Sequence, residues 1–382
     1  MKNWSLYRMA LRCLPASGKI NATDFTEDAA ATVEKILKNH RCLGASLALF
    51  DDRGVTGYLA YGIAHPSGWP VDPATVFRAA SVSKLVTGLG IMKLREMGRI
   101  DLDTEIGEYL PSPLAGRLPK RAITLRSLMT HTAGIRDSEG YNSGIARGAS
   151  LSEILSDQRV WEGTPGTWEY SNLGAGLAGA VLEAATGENF ESLMQETVFI
   201  PLGVAATYYP QKVKGDLADA IRILPRAKTP NFNAAERRAR PLFEAVEDPE
   251  KHYNLAHGAL CVSAMALSKL GMAAMEPGFL TRESLEEMRK IAVPFGARAR
   301  NLSQGLFTFV LREPKISKHL IYGHQGMAYG AVHGLFFDPE KRRGMALLTT
   351  GASEARRGVL ADMNHDMLRL FFSQEAQNGS GR

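Results

Sequence analysis

Cysteine is scarce in this chain. The 382 residues include three cysteines, Cys13, Cys42 and Cys261, which are odd in number and far apart. This pattern offers no disulfide framework. With 45% hydrophobic and 22% charged residues, the chain can instead bury a large apolar core in one or two domains.

Long apolar runs are also missing. No run of about 18 apolar residues indicates a membrane-spanning helix. The N-terminus carries basic residues but lacks the uninterrupted apolar stretch of a signal peptide. We therefore expect a cytoplasmic protein without a membrane partner.

Several catalytic signatures are absent as well. No Gly-x-Ser-x-Gly segment occurs, which disfavours an α/β-hydrolase. The histidines are scattered, without a His-Glu-x-x-His segment or a comparable cluster, so a zinc hydrolase has little support. A glycine-rich phosphate loop is missing too. We expect no metal, no nucleotide and no other cofactor.

Charge of one sign is not dominant. The formal net charge is +5, and the basic excess that stands out lies within residues 222–240. This stretch lacks the repeated aromatic residues that stack on bases, so a solvated surface segment is favoured over nucleic-acid binding. A weaker hypothesis is that it overhangs the active site and selects an acidic substrate. Its basic residues are Arg222, Arg226, Lys228, Arg237, Arg238 and Arg240.

What the chain does contain is a Ser-x-x-Lys step, Ser81 to Lys84. Apolar residues recur at helical spacing after it and Gly98 is placed to end the run, so we predict a buried amphipathic helix over residues 81–97. The serine and the lysine then share one face, and the amine can take the serine proton. Partial burial would lower the pKa of Lys84, and the Ser81 N–H at the helix N-terminus could stabilise an oxyanion. For this motif alone, an N-cap serine beside a solvated lysine is the default interpretation.

Two further segments change that interpretation. Tyr170-Ser171-Asn172 opens an Ala/Gly-rich helix, and the two outer side chains can point into one cavity. A core tyrosine beside an N-cap asparagine is the alternative there. His324-Gln325-Gly326 lies in a predicted strand, where Gly326 indicates a close backbone approach.

In order and spacing, these three motifs resemble those of the serine β-lactamase and penicillin-binding-protein superfamily. The resemblance is to its class C-like branch of esterases and D-peptidases, and it covers roughly residues 30–350. Connecting segments typical of that family are also present, among them Thr75-Val76-Phe77-Arg78-Ala79-Ala80, Leu128-Met129-Thr130-His131-Thr132-Ala133-Gly134 and Pro201-Leu202-Gly203.

The resemblance implies a role for each motif residue. Ser81 would be the nucleophile, and Lys84 and Tyr170 would share the proton transfers. A phenol beside a cationic lysine has its phenolate form favoured, so we expect Tyr170 to act as a base. Asn172 would hydrogen-bond Lys84 and the substrate carbonyl.

The third motif would lie on an edge strand that lines the cleft. By resemblance, His324 would face the substrate, and Met327, which follows Gly326, would give the second oxyanion N–H. β-Lactamases usually carry Lys-Thr-Gly at this place, whereas a histidine is largely neutral near pH 7. We therefore favour an ester or a D-amino-acid peptide substrate, with at most weak β-lactamase activity. His131 is interpreted as a buried structural residue bonded to its own turn.

The order of helix and strand patterns predicts an α/β (α+β) fold. Residues 1–80 and 300–382 would form a domain whose antiparallel sheet is flanked by helices, and residues 81–299 an inserted, mainly helical domain. The active site would lie at their interface. The supporting patterns are helices near 27–39 and 354–372 and strands near 44–51, 55–64, 305–311, 319–337 and 343–350.

The sequence thus predicts a serine hydrolase that acts through an acyl-enzyme on a small ester, amide or short peptide. Two alternatives stay open. One is an acyltransferase, in which an alcohol or amine replaces water. The other is a scaffold or binding protein that keeps the fold without catalysis.

Overall fold

The structure, a computed structural model, describes residues 21–65, 68–218, 248–296 and 299–373. Cys13 and the basic stretch 222–240 lie outside these residues, so what the sequence indicates about them stays a prediction. Cys42 and Cys261 are both buried and free of disulfide bonds.

An antiparallel sheet of eight strands forms the centre of the molecule. The strands in chain order are β1 (Asn21–Thr23), β2 (Gly44–Asp51), β3 (Val55–Gly62), β4 (Val76–Arg78), β5 (Ala206–Thr207), β6 (Cys261–Ser263), β7 (Leu302–Gln304), β8 (Phe309–Leu311), β9 (Ile321–Ala328), β10 (Ala331–Asp338), β11 (Arg343–Thr350), β12 (Arg356–Arg357) and β13 (Leu360–Ala361). The large sheet has the order β1-β3-β2-β11-β10-β9-β8-β7. Strands from both ends of the chain therefore build one sheet, which confirms the predicted fold class.

The single strand-like run predicted over 319–337 is a hairpin. It divides at Tyr329 and Gly330, which both have a positive φ, 54° and 83°. The first strand of this hairpin, β9, lies inside the sheet, so the prediction of an edge strand was wrong as stated. Only Ile321–Gly323 of β9 pair with β8, however, and no pairing with β8 is recorded for the rest of the strand. The half that carries the third motif therefore has its strand partner, β10, on one side only.

Helices cover both faces of the large sheet. A Cβ on Gly334 of β10 would meet Asn364, whereas the next residue, Leu335, is close to Gly271. Because successive strand residues point to opposite faces, the helices that carry Asn364 and Gly271 lie on opposite sides. In chain order the helices are α1 (Glu27–Asn39), α2 (Val82–Glu96), α3 (Ser112–Ala115), α4 (Leu125–Met129), α5 (Glu139–Arg147), α6 (Leu151–Leu155), α7 (Asn172–Thr186), α8 (Phe190–Met194), α9 (Tyr253–Gly258), α10 (Ala264–Met275), α11 (Arg282–Arg289) and α12 (Asp362–Phe372).

The segment between the two sheet-forming parts is mainly helical, as predicted. A small sheet of order β4-β6-β5, which the sequence patterns did not indicate, pairs this segment with Val76–Arg78 just before it. Helix α10 belongs to this segment by sequence but packs on the large sheet through Gly271. The domain boundaries at residues 81 and 299 stay a prediction.

Helix α2 has the bounds that its apolar spacing predicts. Its side chains from Val82 to Met92 are buried, and Gly98 follows its end with a φ of 69°. A left-handed glycine at this place is a common way to end a helix. Within the described part of the chain, no helix is both long enough and apolar enough to span a bilayer.

Candidate active site

Ser81 is partly exposed and lies at the N-terminus of α2, directly after a strained turn. Ala80 has a φ of 47°, in the left-handed region that costs a non-glycine residue about 1 kcal/mol or more. Ser83 holds this turn, because its hydroxyl donates to the Ala80 carbonyl at 2.6 Å and accepts the Leu260 N–H at 3.1 Å. The nucleophile candidate therefore sits on a rigid corner.

The Lys84 amine is completely buried beside Ser81. Its Nζ is 3.2 Å from Ser81 Oγ, 2.7 Å from Asn172 Oδ1 and 2.8 Å from the His257 carbonyl oxygen. Burial lowers the pKa of Lys84 to about 7, and the Asp137 carboxylate raises it in part. A neutral, proton-accepting amine is thus populated near neutral pH, as the sequence led us to expect.

Tyr170 lies against the same pair of residues. Its ring centroid is 5.0 Å from Lys84 Nζ, and its hydroxyl is near enough to Ser81 for the serine to act on its pKa. Burial raises the pKa of Tyr170 well above its usual range, the Ser81 side chain lowers it and Asp137 raises it further. The expectation that a cationic lysine favours the phenolate was therefore wrong. Burial also lowers the pKa of Lys84 to about 7, so the amine is only partly charged and Tyr170 stays a phenol at neutral pH.

Two histidine rings flank Tyr170. The His131 ring centroid lies 4.5 Å from that of Tyr170, and the His324 centroid 6.2 Å. His131 is buried as predicted, but its Nδ1 accepts the Ser171 N–H at 3.3 Å rather than a group of its own turn. Burial lowers its pKa well below the usual range, so this ring is neutral when it supports the Tyr-x-Asn segment.

Asn172 is the first residue of helix α7, and the oxygen and the NH₂ group of its side-chain amide have different partners. Oδ1 accepts from Lys84 at 2.7 Å, and Nδ2 donates to Asp137 Oδ2 at 2.9 Å. The cap of the helix is Ser171, whose hydroxyl accepts the Gly174 N–H, so the alternative of an asparagine cap was wrong. The contact of Asn172 with Lys84 agrees with its predicted role, and its contact with substrate stays a prediction.

Gly326 brings strand β9 against the nucleophile. A Cβ on this glycine would lie 2.3 Å from the Ala79 carbonyl oxygen and 3.2 Å from the Ser81 nitrogen. Glycine is therefore required for this close approach. The next residue, Met327, pairs with Val332 of β10 and is partly exposed. Its N–H as a second oxyanion donor stays a prediction.

His324 is buried, whereas the sequence led us to expect a side chain that faces the substrate in the cleft. Its side chain is 0% exposed, stacks on Phe309 at 4.2 Å between ring centroids, and its Nδ1 is 2.6 Å from the Gln325 carbonyl oxygen. Burial lowers the pKa of His324 to about 3, and the positive charge of Lys84 acts in the same direction. His324 is thus an uncharged ring beside Tyr170.

Two residues that contact the site were missed by the sequence analysis. The His257 carbonyl lies at the C-terminal end of α9, where helix carbonyls lack internal partners and favour a positive charge such as that of Lys84. Asp137 accepts hydrogen bonds at the start of α7. The sequence around Asp137 and His257 contains no motif that would assign either residue to the site. For Asp137 the only signal is its position, three residues after the family-like segment that ends at Gly134.

Comparison with known proteins finds relatives over most of this chain. A family model described as Beta-lactamase matches residues 29–366. Esterase EstB of Burkholderia gladioli is 26% identical over 390 aligned residues, which cover 90% of this chain and 97% of that protein. A β-lactamase of Pseudomonas fluorescens is 30% identical over 195 residues, which span 49% of this chain and about half (51%) of that protein.

Solved structures show the same fold. The D-amino acid amidase from Ochrobactrum anthropi SV3, complexed with L-phenylalanine amide, superposes with a TM-score of 0.71 at 24% identity, over 93% of this chain and 100% of that chain. EstCE1, described as a hydrolase with promiscuous acyltransferase activity, superposes with a TM-score of 0.72 at 22% identity, over 90% and 99% of the two chains. With a family model that matches most of its length, the chain belongs to the β-lactamase family.

Proposed function

We propose that this protein is a serine hydrolase that forms an acyl-enzyme on Ser81. The observation that carries the proposal is the buried Lys84 amine, 3.2 Å from Ser81 Oγ and with its pKa lowered to about 7. A serine hydroxyl is a weak nucleophile unless a nearby base takes its proton. The amine is near enough, and neutral often enough, to be that base.

In the acylation step, Ser81 Oγ bonds to the substrate carbonyl carbon while its proton passes to Lys84 Nζ. The carbonyl oxygen becomes an oxyanion, which the Ser81 and Met327 N–H groups would stabilise. When the tetrahedral intermediate collapses, the leaving alcohol or amine takes a proton from Lys84, relayed by the Tyr170 hydroxyl. Tyr170 acts here as a proton relay rather than as a resting phenolate, because burial raises its pKa.

Deacylation repeats these transfers with water. A water molecule gives a proton to the same base and attacks the acyl carbon, and the acid product leaves as Ser81 regains its proton. The scaffold alternative is less well supported, because a protein without catalysis has no need to bury a lysine amine whose desolvation costs stability. The acyltransferase alternative uses the same first half, with an alcohol or amine in the place of water.

The favoured substrate is an ester or amide of a small acid that carries no carboxylate beside the scissile bond. His324, in the place where β-lactamases present a cation, is buried and neutral, so the described residues offer no fixed positive charge there for a substrate carboxylate. The esterase and D-amino acid amidase among its relatives agree with this substrate class. β-Lactams, which carry a carboxylate, should be poor substrates.

A panel of chromogenic substrates tests the proposal. It contains a p-nitrophenyl ester, a D-amino-acid p-nitroanilide and a chromogenic cephalosporin. We expect turnover of the ester or the anilide, slow or no turnover of the cephalosporin, and loss of all turnover in Ser81→Ala. Cephalosporin turnover faster than that of both other substrates would contradict the substrate class, and undiminished turnover by Ser81→Ala would contradict the mechanism.

A further inference from the structure

Asp137 lies under the site and makes a dense set of hydrogen bonds. Its Oδ1 accepts from Ser171 Oγ at 2.8 Å and from the Leu173 N–H at 3.0 Å. Its Oδ2 accepts from the backbone N–H of Asn172 and from Asn172 Nδ2, both at 2.9 Å. Two of these four donors are backbone N–H groups at the start of α7, and a third is the hydroxyl of the cap residue, Ser171. The fourth, the Asn172 side chain, is the one that reaches Lys84.

The Asp137 carboxylate decides which way the Asn172 amide points. An ionised carboxylate accepts hydrogen bonds and cannot donate them, so it must face the NH₂ group of the amide. The amide oxygen is then turned towards Lys84, where Oδ1 is 2.7 Å from Nζ. Without the carboxylate, the two ends of the amide could exchange.

This orientation has a consequence for the lysine lone pair. A neutral amine has two N–H groups and one lone pair. Lys84 Nζ has two oxygen acceptors besides Ser81, Asn172 Oδ1 and the His257 carbonyl. If both N–H groups go to these acceptors, the lone pair is left for the Ser81 hydroxyl, 3.2 Å away. A reversed amide would donate to the lone pair and compete with Ser81.

On this basis, which rests on the proposed function, we propose that Asp137 is a positioning residue. By orienting the Asn172 amide it directs the Lys84 lone pair at Ser81.

Asp137 also acts on Lys84 through its charge. Its negative charge raises the pKa of Lys84 against the larger lowering by burial. The other titratable groups that face the lysine are Tyr170 and three histidines whose pKa values burial holds down, His131, His257 and His324, so all four are neutral at pH 7. Removal of the carboxylate should therefore lower the pKa of Lys84.

The pH dependence of Ser81 labelling by a fluorophosphonate tests this role without any knowledge of the substrate. In the wild type, the rate should fall as the pH drops through about 7, because protonation of Lys84 removes the base. In Asp137→Asn we expect a plateau rate roughly 10- to 100-fold lower, from misorientation of the base. We also expect the midpoint to move to lower pH, which a purely structural role would not cause.

A second variant separates the position of the carboxylate from its charge. Asp137→Glu keeps the negative charge but moves the carboxylate by one methylene group, so it should lower the plateau rate while the midpoint stays near that of the wild type. Because it keeps a carboxylate at this place, it decides the question if Asp137→Asn fails to fold. Asp157→Asn is the matched control. Asp157 pairs with Arg159 at 2.8 Å and its charge is not among those that shift the pKa of Lys84, so this variant should leave rate and midpoint unchanged.

The outcomes separate the two proposals. If the wild type is not labelled at all, the proposed function fails. If the wild type is labelled with a midpoint near 7 but Asp137→Asn keeps the wild-type plateau rate or midpoint, or Asp137→Glu keeps the wild-type plateau rate, the positioning role of Asp137 fails alone. A lower plateau in both Asp137 variants, with a lower midpoint in Asp137→Asn only and no change in Asp157→Asn, supports the role.

Discussion

Replacement of Gly326 by alanine would put a methyl group into the contact between β9 and the nucleophile turn. The new Cβ would lie 2.3 Å from the Ala79 carbonyl oxygen, whereas ordinary contacts begin at 3.4 Å. The obstacle is a backbone atom in a buried turn, so no flexible side chain can move aside. Strand and turn must therefore separate by about 1 Å, because a packed interior has no free space to take up the overlap.

This separation sets the expected loss of activity. A displacement of about 1 Å between catalytic groups can cost 10²-fold in rate, and loss of one oxyanion donor costs about 10²–10³-fold. The Ser81 N–H lies next to the new methyl group, and Met327 follows it in the chain. We therefore expect the rate of Ser81 acylation to fall at least 100-fold, with about 1–3 kcal/mol of stability lost to overpacking.

Gly305→Ala is the matched control for overpacking. A Cβ on Gly305 would lie 2.4 Å from the Met288 carbonyl oxygen, an equally severe clash with the backbone of α11 rather than with the turn before Ser81. Both variants should lower the free energy of unfolding in urea, whereas only Gly326→Ala should lose reactivity towards a fluorophosphonate. If Gly326→Ala folds and keeps the wild-type labelling rate, the close contact is not required for catalysis and the reasoning fails.

Two further predictions concern stability behind the site. Gln325→Leu removes the acceptor of the buried Ala361 N–H, a 2.9 Å hydrogen bond, and should lower the free energy of unfolding by about 1–3 kcal/mol in urea titrations; a loss as small as that of a surface substitution would contradict this. The second prediction concerns His333. Burial lowers its pKa from 6.5 to about 3, so between these two pH values the unfolded state binds a proton on this ring and the folded state does not. The free energy of unfolding therefore falls as the pH falls through this range. His333→Asn, which keeps an acceptor for the Thr349 N–H, should make that fall less steep by up to about 1.4 kcal/mol per pH unit, and an unchanged slope would argue against a neutral buried ring.

Local patterns predicted the elements that carry the site. The apolar spacing after Ser81 and the glycine at 98 predicted the bounds of α2, and the Ala/Gly-rich run after Tyr170 predicted α7. Each signal lies within a single helix, where the spacing of residues determines which side chains share a face. The contact of Lys84 with Ser81 is of this local kind.

Contacts between distant segments could not be predicted in this way. Asp137 and the His257 carbonyl reach Lys84 from separate parts of the chain, and no spacing rule connects them. The position of β9 inside the sheet depends on its pairing with β8, which the strand pattern of β9 does not contain. Such features follow from tertiary packing rather than from local sequence.

The state of Tyr170 shows a second limit. The motif indicated a cationic lysine beside a phenol, and from that pair alone a lowered tyrosine pKa follows. In the fold, burial acts on both groups at once, lowering the pKa of Lys84 and raising that of Tyr170. The direction of a pKa shift thus depends on desolvation, which only the three-dimensional packing determines. The burial of His324 was missed for the same reason.

The most direct test of the account is the intact mass of the protein after incubation with a fluorophosphonate, measured for the wild type and for Ser81→Ala. The account predicts a single adduct on the wild type and none on the variant, because Ser81 is the hydroxyl that a buried amine activates at 3.2 Å. An unlabelled wild type, or equal labelling of both proteins, would contradict the claim that Ser81 is an activated nucleophile.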